Sequence, residues 1–128
     1  MMTGKANWTY VCRLSDIVPN TGVAAKVGTA QVAIFRLSAT DDSETGLYAM
    51  CNRDPRSGAY VLARGLVGSL KGRPVVASPI YKQHYDLSSG ECIEDAALSV
   101  VSYPVRVFDG MVLVRNAGQP PVGGGAAA

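Results

Sequence analysis

Val105-Arg106-Val107-Phe108-Asp109-Gly110-Met111-Val112-Leu113-Val114 is the stretch that decides the fold class. An Asp-Gly pair between two runs rich in Val, Leu and Phe favours the type I′ turn. Both central residues must take positive φ there, and the twist of that turn matches that of paired strands. The stretch predicts an antiparallel hairpin with successive side chains on opposite faces. Upstream, Trp8-Thr9-Tyr10-Val11-Cys12-Arg13 places large apolar side chains on alternate positions and reads as the first strand. Val23-Ala24-Ala25-Lys26-Val27 and Gln31-Val32-Ala33-Ile34-Phe35-Arg36 flank Gly28-Thr29-Ala30, a connection of the hairpin kind. Residues 38–46, with Asp41, Asp42 and Glu44, are polar and aperiodic, a solvated loop entering the strand Leu47-Tyr48-Ala49-Met50-Cys51. Gly65-Leu66-Val67-Gly68 reads as a turn. Val75-Val76-Ala77 follows the turn Lys71-Gly72-Arg73-Pro74, and Lys82-Gln83-His84-Tyr85-Asp86-Leu87 runs up to Ser88-Ser89-Gly90, which implies a further hairpin. Helical periodicity is weak throughout, so the pattern is all-β and antiparallel.

The chain has 128 residues, within the range of one domain able to bury a real core. Residues 1–6 are expected to be a flexible N-terminus and 7–116 the domain. Residues 117–128, almost wholly Gly, Ala and Pro, offer little surface to bury against the entropy of ordering them and are expected to form a disordered tail. At 48% hydrophobic and 17% charged the composition is globular, and no run approaches the roughly 20 apolar residues of a membrane span. The first 13 residues show no secretory leader, so the expected compartment is the cytoplasm. Asn7-Trp8-Thr9 then matches a glycosylation acceptor by chance. A net charge of +2, carried by scattered Lys and Arg, lacks the basic cluster that nucleic acid demands. Cys12, Cys51 and Cys92 are too few and too scattered for a disulfide framework and read as buried thiols.

Catalytic constellations are scarce. Every nucleophile-plus-base scheme must run through His84, the single histidine, with Asp86 two residues on as a candidate orienting group. A zinc site from Cys12, Cys51, Cys92 and His84 has no C-x-x-C spacing to support it. The glycines form neither a dinucleotide fingerprint nor a phosphate loop. Glu91, Glu94 and Asp95 read as a solvated rim or an interaction patch.

Two segments resemble the cluster-binding boxes of Rieske iron-sulphur domains. The second box of that family, approximately C-P-x-H-G-x-x-F-D-L-x-T-G, is similar to Ser78-Pro79-Ile80-Tyr81-Lys82-Gln83-His84-Tyr85-Asp86-Leu87-Ser88-Ser89-Gly90. The first box, approximately C-P-H-x-G-A, is similar to Asp54-Pro55-Arg56-Ser57-Gly58-Ala59. The resemblance implies an antiparallel β-sandwich or barrel with the two loops at one tip. It places Asp54 and Ser78 where the family has Cys, and Arg56 and Tyr81 where it has His. Two thiolates and two imidazoles hold a Rieske centre, so this chain is expected to bind no cluster and no other cofactor.

A Rieske-like chain stripped of its ligands resembles the small subunits of assimilatory NAD(P)H-dependent nitrite reductases. The likeness runs in order from Val11-Cys12-Arg13-Leu14-Ser15-Asp16-Ile17-Val18-Pro19-Asn20 through Asn52-Arg53-Asp54-Pro55 and Val61-Leu62-Ala63-Arg64-Gly65-Leu66 to Gly90-Glu91-Cys92-Ile93-Glu94-Asp95. It implies a non-catalytic subunit whose partner is a large subunit carrying FAD, an iron-sulphur cluster and sirohaem, and which supports reduction of nitrite to ammonia. Arg56, Tyr81, Lys82 and His84 are the expected contact residues of the tip, the alternative being that Asp54 and Arg56 only pair locally to stiffen a loop. Two other readings are open. One is an electron-transfer domain holding a cluster through unusual ligands such as Cys51 or Cys92, and the other is a Rieske-like scaffold outside nitrogen metabolism.

Overall fold

The computed structural model describes residues 8–37 and 46–117. The expected N-terminal segment, the expected C-terminal tail apart from Ala117, and most of the acidic loop lie outside them. Among the described residues ten strands form three antiparallel sheets. The first joins β1 (Trp8–Arg13), β10 (Met111–Arg115) and β9 (Val105–Phe108), with β10 in the middle. The second runs β2 (Thr21–Val27), β3 (Ala30–Arg36), β4 (Leu47–Cys51) and β8 (Ser102–Tyr103). The third is β5 (Leu66–Leu70), β6 (Arg73–Ala77) and β7 (His84–Asp86).

β3 explains how three sheets share one interior. Val32, Ala33, Ile34 and Phe35 are all buried, and alternation sends them in opposite directions. Val32 and Ile34 join Val27, Ala49, Val112 and Val114 against the first sheet. Ala33 and Phe35 join Met50, Leu62, Val76, Tyr85 and Leu87 against the third. The apolar run of this strand is thus the mark of a sheet covered on both sides. Gly22, opposite Phe35 in the β2–β3 ladder, leaves room for that ring, since a Cβ there would lie 2.7 Å from it.

The Asp109-Gly110 hairpin forms as expected. Both residues have positive φ, 54° and 76°, and Met111 pairs with Phe108. Two expectations are corrected. Residues 65–68 are not a turn, because Leu66–Leu70 is β5, paired in register with β6 through Val67 and Val76. Lys71 and Gly72, at φ 55° and 80°, make the turn that joins them. Gly68 hid the strand, yet it faces open space, where a missing side chain loses little packing. The strand expected over residues 82–87 shrinks to His84–Asp86, since Lys82 and Gln83 belong to a loop and Leu87 to the following turn.

Candidate functional site

Two loops leave the sheets at the expected tip, residues 54–59 after β4 and 78–83 between β6 and β7, and they have the same backbone design. Asp54 N–H donates to the Ala59 carbonyl at 2.8 Å and Gly58 N–H returns to the Asp54 carbonyl at 2.7 Å. Ser78 N–H donates to the Gln83 carbonyl at 2.9 Å and Lys82 N–H to the Ser78 carbonyl at 3.0 Å. The fifth residue of each, Gly58 or Lys82, sits at positive φ, 84° and 67°. In each the first side chain accepts from the N–H two residues on, Arg56 to Asp54 at 2.8 Å and Ile80 to Ser78 at 3.3 Å. These are side-chain-closed turns of the kind Asp and Ser favour. A third copy starts at Asp86. Its N–H donates to the Glu91 carbonyl at 2.8 Å, Gly90 N–H returns at 2.7 Å, and Ser88 N–H reaches its carboxylate at 2.7 Å.

The two tip loops meet through the four positions matched to cluster ligands. Ser78 Oγ donates to Asp54 Oδ2 at 2.5 Å, with both residues 0% exposed. Gln83 Nε2 donates to Asp54 Oδ1 at 2.9 Å and to the Tyr85 hydroxyl at 2.8 Å. The Arg56 guanidinium lies over the Tyr81 ring, 4.9 Å from its centroid. The expected local pairing of Asp54 with Arg56 is made by the Arg56 backbone N–H, while its guanidinium reaches across to the other loop. Burial acts to raise the Asp54 carboxyl pKa, but the hydrogen bonds from Ser78, Arg56 and Ser57 hold it below its ordinary value. Burial also pushes the Tyr85 hydroxyl well up, against the hydrogen bond from Gln83.

This arrangement does not fit a Rieske cluster. The positions supply a carboxylate, a guanidinium, a hydroxyl and a phenol in place of two thiolates and two imidazoles, and they are engaged with one another. The cysteines sit elsewhere. Cys92 belongs to the core beneath the third sheet, Cys51 packs against that core, and Cys12 packs on the opposite side of the middle sheet. Burial raises the pKa of Cys12 and Cys92, which disfavours the thiolate that a metal requires. Among the described residues no group of three or more His, Cys, Asp or Glu could hold a metal ion, so Cys12, Cys51, Cys92 and His84 do not assemble.

Of the expected contact residues, Arg56, Tyr81 and Lys82 are exposed. His84 is half-buried and turned to Glu94, its Nδ1 2.5 Å from Glu94 Oε2 and its backbone N–H donating to Glu94 Oε1 at 2.8 Å. The imidazole partner is therefore Glu94 and not Asp86. Asp86, 4% exposed, closes its own loop and takes Arg73 Nε at 2.7 Å, while Arg73 Nη2 reaches Glu91 at 2.7 Å. Of the three carboxylates read as a rim, Glu91 and Glu94 thus hold partners, and Asp95 accepts from Ala97 N–H at 3.1 Å to cap a short 3-10 turn. Sequence reasoning missed Ile80, 44% exposed, and Tyr60, 50% exposed at the stem of the first loop. A signal for Ile80 was its place two residues past Ser78, the position that Arg56 holds after Asp54 and Ser88 after Asp86, and all three are exposed.

Sheets covering both faces of β3, with two matching loops meeting at one tip, define a Rieske-like domain, and the profile of the Rieske-like [2Fe-2S] domain family matches residues 7–115. The NADH nitrite reductase small subunit of Escherichia coli K12 is 44% identical over 111 residues, 87% of this chain and 99% of that one. The solution structure of the Erwinia carotovora nitrite reductase [NAD(P)H] small subunit superposes with a TM-score of 0.73 at 40% identity, over 91% of this chain and 87% of that one. The chain belongs to the Rieske-like family, in the branch of the nitrite reductase small subunits. A nitrite reductase [NAD(P)H] large subunit from Klebsiella oxytoca is also similar, 38% identical over 109 residues that cover 85% of this chain but 11% of that protein.

Proposed function

We propose that this chain is the non-catalytic small subunit of an NAD(P)H-dependent nitrite reductase, that it acts in the cytoplasm in nitrate assimilation, and that it binds no cluster. The observation that carries the metal-free reading is the pairing of the two tip loops through Ser78 with Asp54 and Arg56 with Tyr81. Direct contacts do there what a bridging metal would do, so the loops keep their relative position with no electron carrier between them. FAD, sirohaem and an iron-sulphur cluster belong to the large subunit, which takes electrons from the nicotinamide and reduces nitrite to ammonia. The exposed tip, Arg56, Tyr81 and Lys82 with His84 at its margin, is a docking patch for that subunit, since Tyr and Arg are enriched among residues that dominate binding.

Anaerobic purification followed by iron analysis and a visible spectrum tests the metal-free part. A colourless, iron-free, folded protein is expected, and stoichiometric iron with a 2Fe-2S spectrum would overturn it. For the docking part, Arg56→Glu with Tyr81→Ala should abolish capture of the large subunit, and unchanged capture would remove the tip as an interface.

A further inference from the structure

The outer face of the first sheet is a second surface built for contact. β10 turns Val112 and Val114, both 0% exposed, into the core, which leaves Met111, Leu113 and Arg115 on the outside. On β9, Val105 and Val107 pack inward while Arg106 and Phe108 face out, with Phe108 72% exposed. On β1, Tyr10 is opposite Leu113 and Trp8 is opposite Arg115, which places both on the same outer face. Arg106 lies over the Trp8 ring, 4.7 Å from its centroid, and Trp8, Arg106, Phe108 and Leu113 line an open groove. Single exposed apolar residues need no explanation, but a Trp, a Tyr, a Phe, a Met and a Leu sharing one sheet face do. The cations of these three strands, Arg13, Arg106 and Arg115, are all arginine, and the strands contain no carboxylate and no lysine. Aromatic residues, Met and Arg enriched and Lys depleted is the composition of an interface core.

The occupant follows from where the matched region begins and ends. Residues 7–115 match the family, and Trp8 and Arg115 are Cα partners, so both ends of the domain emerge side by side at the Trp8 edge of this face. In the Klebsiella oxytoca large subunit a similar domain is part of the same polypeptide as the rest of that subunit. Any tether there leaves the domain beside this face, on the far side of the middle sheet from the third sheet, whose β6–β7 connection is one of the tip loops. We infer that the outer face of the β1–β10–β9 sheet seats the domain on its nitrite reductase large subunit, against an apolar surface that carries carboxylates to meet Arg106 and Arg115. This rests on the small-subunit reading above and adds a surface distinct from the tip.

The test is affinity of the full chain for the nitrite reductase large subunit of the same organism, measured by biolayer interferometry, with sedimentation velocity of the chain alone. Phe108→Glu and Arg106→Glu should each weaken binding at least tenfold while the fold, followed by circular dichroism, is unchanged. Lys26→Glu, on an exposed position of β2, should bind like the natural chain. Equal affinity of natural chain and Phe108→Glu would overturn the inference and leave the small-subunit reading intact. Self-association of the chain that Phe108→Glu abolishes, with large-subunit binding unaffected, would also overturn it and assign the face to a second copy. Failure of the natural chain itself to bind would sink the small-subunit reading, and this inference with it.

Discussion

Ser78 Oγ and Asp54 Oδ2, 24 residues apart in sequence and wholly buried, lie 2.5 Å from each other and tie the two tip loops together. Removing the acceptor strands more than one donor, because Gln83 Nε2 and the Arg56 N–H also point at Asp54. Asp54→Ala is therefore expected to cost about 2–4 kcal/mol and Ser78→Ala about 1–2 kcal/mol, with the double variant close to Asp54→Ala alone. Urea unfolding of the four proteins measures the coupling, and additive losses would show that the pair does not act as a unit.

Asp54 and Asp86 are both held below the ordinary carboxylate pKa, against their burial, by hydrogen bonds and, for Asp86, by Arg73 as well. A folded-state pKa below the unfolded one means that the unfolded chain binds more protons in acid. The stabilisation is complete above the unfolded value, about pH 4, and is lost as the pH falls through the folded values. Stability to urea should hold from pH 7 to about 5 and decline below about pH 4, with a shallower decline in Asp54→Asn.

Stacking of Arg56 on Tyr81 happens in the open, where such contacts are worth about 0.5–1 kcal/mol. Tyr81→Ala should shift the unfolding midpoint only slightly while reducing large-subunit affinity at least tenfold. A large stability loss with unchanged affinity would recast the pair as a structural clip.

Lys82 holds φ 67° at the place where the sister loops have Gly58 and Gly90. A left-handed Lys costs roughly 1–2 kcal/mol relative to a right-handed one, partly offset by the entropy that Gly loses on folding. Lys82→Gly should thus raise stability by up to about 1 kcal/mol, visible as a higher urea midpoint.

What the sequence disclosed follows from where its signals are local. The Asp109-Gly110 turn acts over a few residues and its hairpin is present. β1 is present too, but a bulge between Tyr10 and Cys12 breaks the alternation of Trp8 to Arg13 and leaves Trp8 and Tyr10 on the outer face. β5 escaped notice because Gly68 reads as punctuation until its partner Val75 is known, and pairing is a long-range fact. At the tip, resemblance placed Asp54, Arg56, Ser78 and Tyr81 on two facing loops but could not pair them. Spacing says nothing about whether Arg56 turns to the carboxylate two residues back or to a ring 25 positions on. The choice of Glu94 by His84 was hidden for the same reason, since strand parity pointed to Asp86, whose carboxylate closes its own turn.

The third loop, Asp86 to Glu91, repeats the hydrogen bonding of the other two at a place matched to no ligand. Its shape comes from one acidic side chain, a left-handed glycine and the backbone hydrogen bonds around them, so the same scaffold can close without iron. On the proposed metal-free reading, this uncouples folding of the chain from iron supply and from cluster assembly. On that reading, starvation for the metal, or oxidants that dismantle exposed clusters, would leave this chain folded.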